Sequence, residues 1–186
     1  MKQLLLLTVM TASAGQGTVW AGANVWTSLG PDGGAARSLV VDPNTPSTLY
    51  VVTSAGLYKS TDGGASWNVT PPLPPNSGVI NYLVIDPRNR STLYGATRGA
   101  SSGIPCNDYV FKSADGGASW RALKSGVPCG LPLPPQGDPH VGLSAPLAID
   151  PQDPNIIYSG SYSDIFKSID GGETWKASNS GLPPHC

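Results

Sequence analysis

The stretch Ser60-Thr61-Asp62-Gly63-Gly64-Ala65-Ser66-Trp67 recurs as Ser113-Ala114-Asp115-Gly116-Gly117-Ala118-Ser119-Trp120 and again as Ser168-Ile169-Asp170-Gly171-Gly172-Glu173-Thr174-Trp175. The aspartates are 53 residues apart (Asp62 to Asp115) and 55 apart (Asp115 to Asp170). One turn used three times at a near-constant spacing requires a chain built from like units, each resting on its neighbours. A second phrase precedes each copy. Leu39-Val40-Val41-Asp42-Pro43 leads to Thr48-Leu49-Tyr50, Leu83-Val84-Ile85-Asp86-Pro87 to Thr92-Leu93-Tyr94, and Leu147-Ala148-Ile149-Asp150-Pro151 to Ile156-Ile157-Tyr158.

Each unit reads as four short strands joined by turns. The first strand is an apolar run stopped by Asp-Pro, because proline fixes φ and removes a ladder donor. The second passes through Leu-Tyr or Ile-Tyr. The third holds Leu57-Tyr58-Lys59, Val110-Phe111-Lys112 or Ile165-Phe166-Lys167, β-formers with a lysine stem able to lie along apolar surface. It runs directly into Asp-Gly-Gly, where the glycines supply the positive φ of a tight hairpin and the carboxylate accepts from backbone N–H groups ahead of it. Trp67, Trp120 and Trp175 then open the fourth strand and offer a ring to cover the turn.

A period of this size lies in the range of propeller blades. The expected fold is all-β, with four-stranded antiparallel blades at about 36–70, 80–123 and 143–177 and one further strand near Asn24–Ser28. That makes about 13 strands, while closed propellers use typically about 4 to 8 blades. The expectation is an incomplete ring, filled either by blades beyond residue 186 or by association of copies.

The three octapeptides resemble the Asp-box, or BNR, repeat, whose motif is Ser-x-Asp-x-Gly-x-Thr-Trp with Ser often in place of Thr. The resemblance covers roughly Asn24 to Ser180. It implies a β-propeller and a structural role for Asp62, Gly64, Trp67, Asp115, Gly117, Trp120, Asp170, Gly172 and Trp175. Sialidases, xyloglucan-cleaving hydrolases, sortilin-type receptors and photosystem II assembly factors carry such repeats, so the resemblance implies no single activity.

Composition narrows the choice further. With 23 glycines and 19 prolines in 186 residues, disorder competes as an explanation, but these residues fall at repeated turn positions between β-branched and aromatic runs. A formal charge of −1 with only 11 Lys and Arg argues against a broad phosphate-binding surface, and nucleic acid is not expected as a partner. Lys2, the apolar run Leu4–Met10, and the small residues around Ala12-Ser13-Ala14 and Ala21-Gly22-Ala23 suggest an export signal over 1–23, and no segment is long enough to span a bilayer. The expected location is secreted or periplasmic.

Blade two is longer than blade one between its second and third strands, 29 residues from Asp86 to Asp115 against 20 from Asp42 to Asp62. The link from Trp120 to Asp150 takes 30 residues where that from Trp67 to Asp86 takes 19. These inserts, 95–108 and 127–140, leave a propeller on the same face. They hold Cys106 and Cys129, a candidate disulfide in an oxidising compartment with two free thiols as the alternative. They also hold or adjoin Arg98, Asp108, Tyr109, Asp138 and His140, the candidate binding residues for a carbohydrate or protein ligand. Metal-ligand spacing is absent, and no cofactor is expected.

Glycoside hydrolysis usually needs two carboxylates about 5 to 9 Å apart. Most of the 12 acids here are assigned to turns or strand ends, and the Arg-Ile-Pro signature of sialidases is missing. No residue is assigned as catalytic. The sequence therefore favours an exported non-enzymatic binding or scaffold propeller, with the N-terminal part of a sialidase- or xyloglucanase-like glycoside hydrolase as the alternative.

Overall fold

A computed structural model describes residues 30–31, 34–75, 77–97, 110–123, 146–160 and 165–182. The leader 1–23, the strand expected near Asn24–Ser28 and nearly all of both inserts lie outside the described residues.

Three four-stranded antiparallel sheets make up the fold. The first holds β1 (Ala36–Val41), β2 (Leu49–Thr53), β3 (Leu57–Ser60) and β4 (Asn68–Val69). The second holds β5 (Ile80–Ile85), β6 (Leu93–Thr97), β7 (Val110–Ser113) and β8 (Arg121–Leu123), and the third β9 (Leu147–Ile149), β10 (Ile157–Gly160), β11 (Ile165–Ser168) and β12 (Lys176–Ala177). Within each sheet the strands pair in chain order, so every connection is a hairpin. The fold is all-β and propeller-like, and no helix among the described residues is long and apolar enough to cross a membrane.

The register repeats as closely as the sequence. Leu49 pairs with Ser60, Leu93 with Ser113 and Ile157 with Ser168, so each apolar-Tyr step on the second strand lies beside the end of the third. Both β1 and β5 slip register at their second residue, between Ala36 and Ser38 and between Ile80 and Tyr82.

Alternation then gives every blade two working faces. The forward face of blade one, with Tyr50, Val52 and Leu57, packs on the rear face of blade two, with Leu83, Ile85 and Leu93. In the same way Tyr94, Val110 and Leu123 of blade two pack on Ile157, Phe166 and Trp175 of blade three. The core is thus a set of layers between sheets, which is why apolar side chains are needed on both faces of a blade.

Candidate functional site

Each Asp-Gly-Gly turn closes on the serine that ends the third strand. Ser60 Oγ accepts from the Gly64 N–H at 2.8 Å and donates to Asp62 Oδ1 at 2.7 Å. Asp62 in turn accepts from the Ser66 N–H at 2.9 Å and the Ser66 hydroxyl at 2.5 Å. Ser113, Asp115, Gly117 and Ser119 repeat this set, as do Ser168, Asp170, Gly172 and Thr174. Both glycines of each turn have positive φ, for example 69° at Gly171 and 90° at Gly172, a region where a side chain would be strained.

These bonds fix the electrostatics of the turns. The Ser66 hydroxyl, then its N–H, then the Ser60 hydroxyl hold the Asp62 carboxyl down at about 2 from an ordinary 3.8. Asp115 and Asp170 are lowered to about 2 by the corresponding groups, led by the side chains of Ser119 and Thr174. A carboxyl whose folded pKa is depressed contributes stability that is present above its unfolded value and lost as pH falls toward the folded one. The urea midpoint is therefore expected to drop as pH falls from about 4 toward about 2. Asp115→Asn should flatten part of that drop. An unchanged slope in this variant would refute the link between the turn bonds and acid stability.

The other described carboxylates are also engaged. Asp42 Oδ1 accepts from the N–H groups of Asn44 (2.8 Å) and Thr45 (3.2 Å), so the Asp-Pro corner is capped by its aspartate as well as stopped by its proline. Asp86 and Asp150 do the same two and three residues ahead, and Asp153 accepts from the Asn155 N–H. Glu173 pairs with Arg121 of the preceding blade, an exposed bridge that lowers the glutamate and raises the arginine. Screening by water leaves such a pair little net weight.

The turns also join one blade to the next. Tyr50 Oη donates to the Gly116 carbonyl at 3.1 Å, and Lys59 Nζ sits 5.2 Å from the centre of the Tyr50 ring. Lys112 lies 5.1 Å over Tyr94, and this pair faces Gly171: a Cβ there would meet both the lysine Nζ and the tyrosine Oη at 3.4 Å. The second-strand tyrosine and third-strand lysine therefore form a socket for the next blade's turn.

Of the tryptophans, Trp175 is buried and donates Nε1–H to the Gly172 carbonyl at 3.0 Å, covering its own turn. Trp120 and Trp67 are half-buried. Trp120 lines a groove of about 270 Å³ between blades one and two, with Ser54–Leu57, Val69–Leu73 and Gly78–Ile80 as the other walls. Residues 54–56, 70–73 and 78–79 bound it, on the two connections that correspond in sequence to those lengthened by the inserts. Arg98, Asp108, Tyr109, Asp138, His140, Cys106 and Cys129 all lie outside the described residues. Among the described residues no group of three or more His, Cys, Asp or Glu side chains is placed to hold a metal.

Sequence reasoning singled out the aspartates and their backbone N–H partners ahead in the turn, and missed the hydroxyls that complete the set. The serine before each turn was legible as an identical residue in all three copies, and its hydroxyl is the hub of the turn. The tyrosine-lysine sockets carried a weaker signal, since nothing local says that a tyrosine on one blade serves a glycine 66 residues away.

Fold and turns together define a repeat protein of propeller type. No family model matches the chain. It is 31% identical over 156 residues to a xyloglucanase of Hypocrea jecorina, covering 79% of this chain and 18% of that one. It is 30% identical over 142 residues to a xyloglucanase of Acetivibrio thermocellus, covering 72% and 16%. The chain thus spans less than a fifth of the length of the curated relatives it matches. Among solved structures it is similar to the GH74 enzyme of Niastella koreensis (TM-score 0.56, 22% identity, 76% of this chain and 22% of that one). It is likewise similar to an ancestral GH74 enzyme (TM-score 0.54, 22% identity, 75% and 18%) and to YCF48 from Cyanidioschyzon merolae (TM-score 0.50, 19% identity, 79% and 38%). At these identities the structures share the fold.

Proposed function

We propose that the chain is a three-blade section of a xyloglucan-hydrolase propeller, contributing scaffold and part of the polysaccharide-facing surface. The observation that carries this is the 31% identity to a xyloglucanase over 156 residues, most of the chain. The repeated turns belong, on this reading, to the Asp-box class, and residues 1–23 direct export to where the polymer is met.

The described carboxylates support a scaffold role. A general acid must hold a proton near neutral pH and a general base must be free to take one. Asp62, Asp115 and Asp170 sit at about 2 with their oxygens bound into turns, which suits neither task. The apolar groove at Trp120, with Pro71, Pro72 and Leu73, offers the kind of surface on which the hydrophobic face of a pyranose ring can lie, with Ser54 as a polar neighbour.

Native gel electrophoresis with xyloglucan cast in the gel tests this reading. Retardation is expected in xyloglucan and much less in an uncharged cellulose ether. Mobility unaffected by xyloglucan would overturn it. Viscosity of the same solutions separates the two forms of the reading: a steady viscosity alongside retardation favours a non-enzymatic binding propeller, and a falling one an intact hydrolytic centre.

A further inference from the structure

The junction between blades one and two and that between blades two and three differ in the state of one aromatic side chain. Trp175 is 6% exposed, and its Nε1–H is spent on the Gly172 carbonyl at 3.0 Å. Trp120, at the same position of the repeat, is half-buried, and among the described residues no group accepts from its Nε1–H. Its ring reaches across its own sheet to β6. A Cβ on Gly95 would stand 3.4 Å from Trp120 Cζ3 and 3.0 Å from Ile80 Cδ1, so the bare backbone at Gly95 gives the ring its seat. In blade three the matching residue is Ser159, which pairs with Phe166 as Gly95 pairs with Phe111, and there a side chain fills the place.

The seated ring forms part of the groove of about 270 Å³, whose walls belong to blades one and two and are complete within the described residues. None of the lining side chains carries a charge. Of the polar ones, Thr70 already donates its hydroxyl to the Leu57 carbonyl at 3.2 Å. An anion would find no counter-charge in this lining, whereas an uncharged ring with an apolar face loses little on leaving water there. The volume falls below the roughly 300–1,000 Å³ of pockets that enclose a whole drug-sized ligand, so the groove suits one ring of a longer molecule. An indole offers two things to such a molecule, an apolar face and an N–H at its edge. Because the N–H lies in the ring plane, its acceptor stands beyond the edge of whatever stacks on the face.

We propose that Trp120 is a sugar-contacting residue: its face takes one neutral pyranose unit of a bound polysaccharide, its Nε1–H donates to a hydroxyl of the adjoining unit, and Gly95 is the positioning residue that seats the ring. Such binding rests on the polysaccharide-facing role proposed above and narrows the ligand to an uncharged chain of two units or more. Trp175, covered and already bonded, takes no part, so two copies of one motif position have separate tasks.

Isothermal titration calorimetry of the full chain tests this, with xyloglucan oligosaccharides as the neutral probe and an oligogalacturonide of equal length as the anionic one. The neutral probe is expected to bind the more tightly. Trp120→Ala should weaken its binding at least about tenfold. Trp120→Phe, which keeps a ring in the core and removes only the N–H, should weaken it about threefold to tenfold with the β-sheet circular dichroism retained. Gly95→Ala, whose methyl crowds the seated ring, should weaken it as well. Trp120→Phe binding as tightly as the unaltered protein, or tighter binding of the oligogalacturonide, would overturn the proposal. Retardation by xyloglucan that survives Trp120→Ala would overturn it while leaving the polysaccharide-facing role in place, and an unaltered protein that xyloglucan does not retard would overturn both.

Discussion

Gly172→Ala is expected to lower stability by about 2–5 kcal/mol, while Gly63→Ala lowers it by only about 1–2 kcal/mol. The two glycines occupy the same kind of turn with φ of 90° and 75°, so both substitutions carry the cost of a side chain in a left-handed backbone. They differ in what the new methyl meets. At Gly172 it would come 2.6 Å from Leu123 Cδ1, and Leu123 is wholly buried in the layer between blades two and three, so it has little room to retreat. At Gly63 the space is open. Gly117→Ala makes the comparison sharper, because there the nearest atom is Leu93 Cδ1 at 3.5 Å, an ordinary contact.

The cause of the difference lies three residues beyond each tryptophan. Thr70 abuts Gly117 at the first blade contact and Leu123 abuts Gly172 at the second, so the longer side chain sets the tighter fit. Urea unfolding at one fixed protein concentration would rank the three variants, since any self-association makes apparent stability depend on concentration. Equal losses at Gly172 and Gly63 would refute the account of the contact.

How much of this could be read from the chain depends on the distance over which each interaction acts. The Asp-Gly-Gly turns are local: Ser60, Asp62, Gly64 and Ser66 lie within seven consecutive residues, so residue types alone report the bonds. The Asp-Pro corners were half legible, because proline announces the strand end but the carboxylate's grip on Asn44 and Thr45 is a matter of geometry. The layers between blades were legible only as apolar positions. Which face meets which follows from the placing of whole sheets, and a period-two pattern is silent on that when both faces are apolar. The insert residues, from Arg98 to His140, carry no repeat from which a position could be inferred.

Phe111→Ala is the core substitution with the largest expected effect, about 3–5 kcal/mol. Phe111 is wholly buried on β7, and its cross-strand neighbours are Gly95 on β6 and Ala122 on β8. Neighbours this small leave the ring to fill the space over three strands, so truncation removes most of the apolar volume at the centre of the sheet. Collapse onto the gap is restricted. A Cβ on Gly95 would already stand 3.0 Å from Ile80 and 3.4 Å from Trp120, which means those side chains are close against the backbone and have no slack to move inward. A cavity that cannot collapse adds its own cost to the lost transfer energy, which places the variant in the upper part of the range. Val69→Ala is the matched surface control: Val69 is 67% exposed on the outermost strand of blade one, and its change is expected within about 0.5 kcal/mol. Equilibrium urea unfolding of both variants, monitored by tryptophan fluorescence, checks the pair, and a Phe111→Ala loss below about 1.5 kcal/mol would mean that the sheet repacks where the close approach at Gly95 says it cannot.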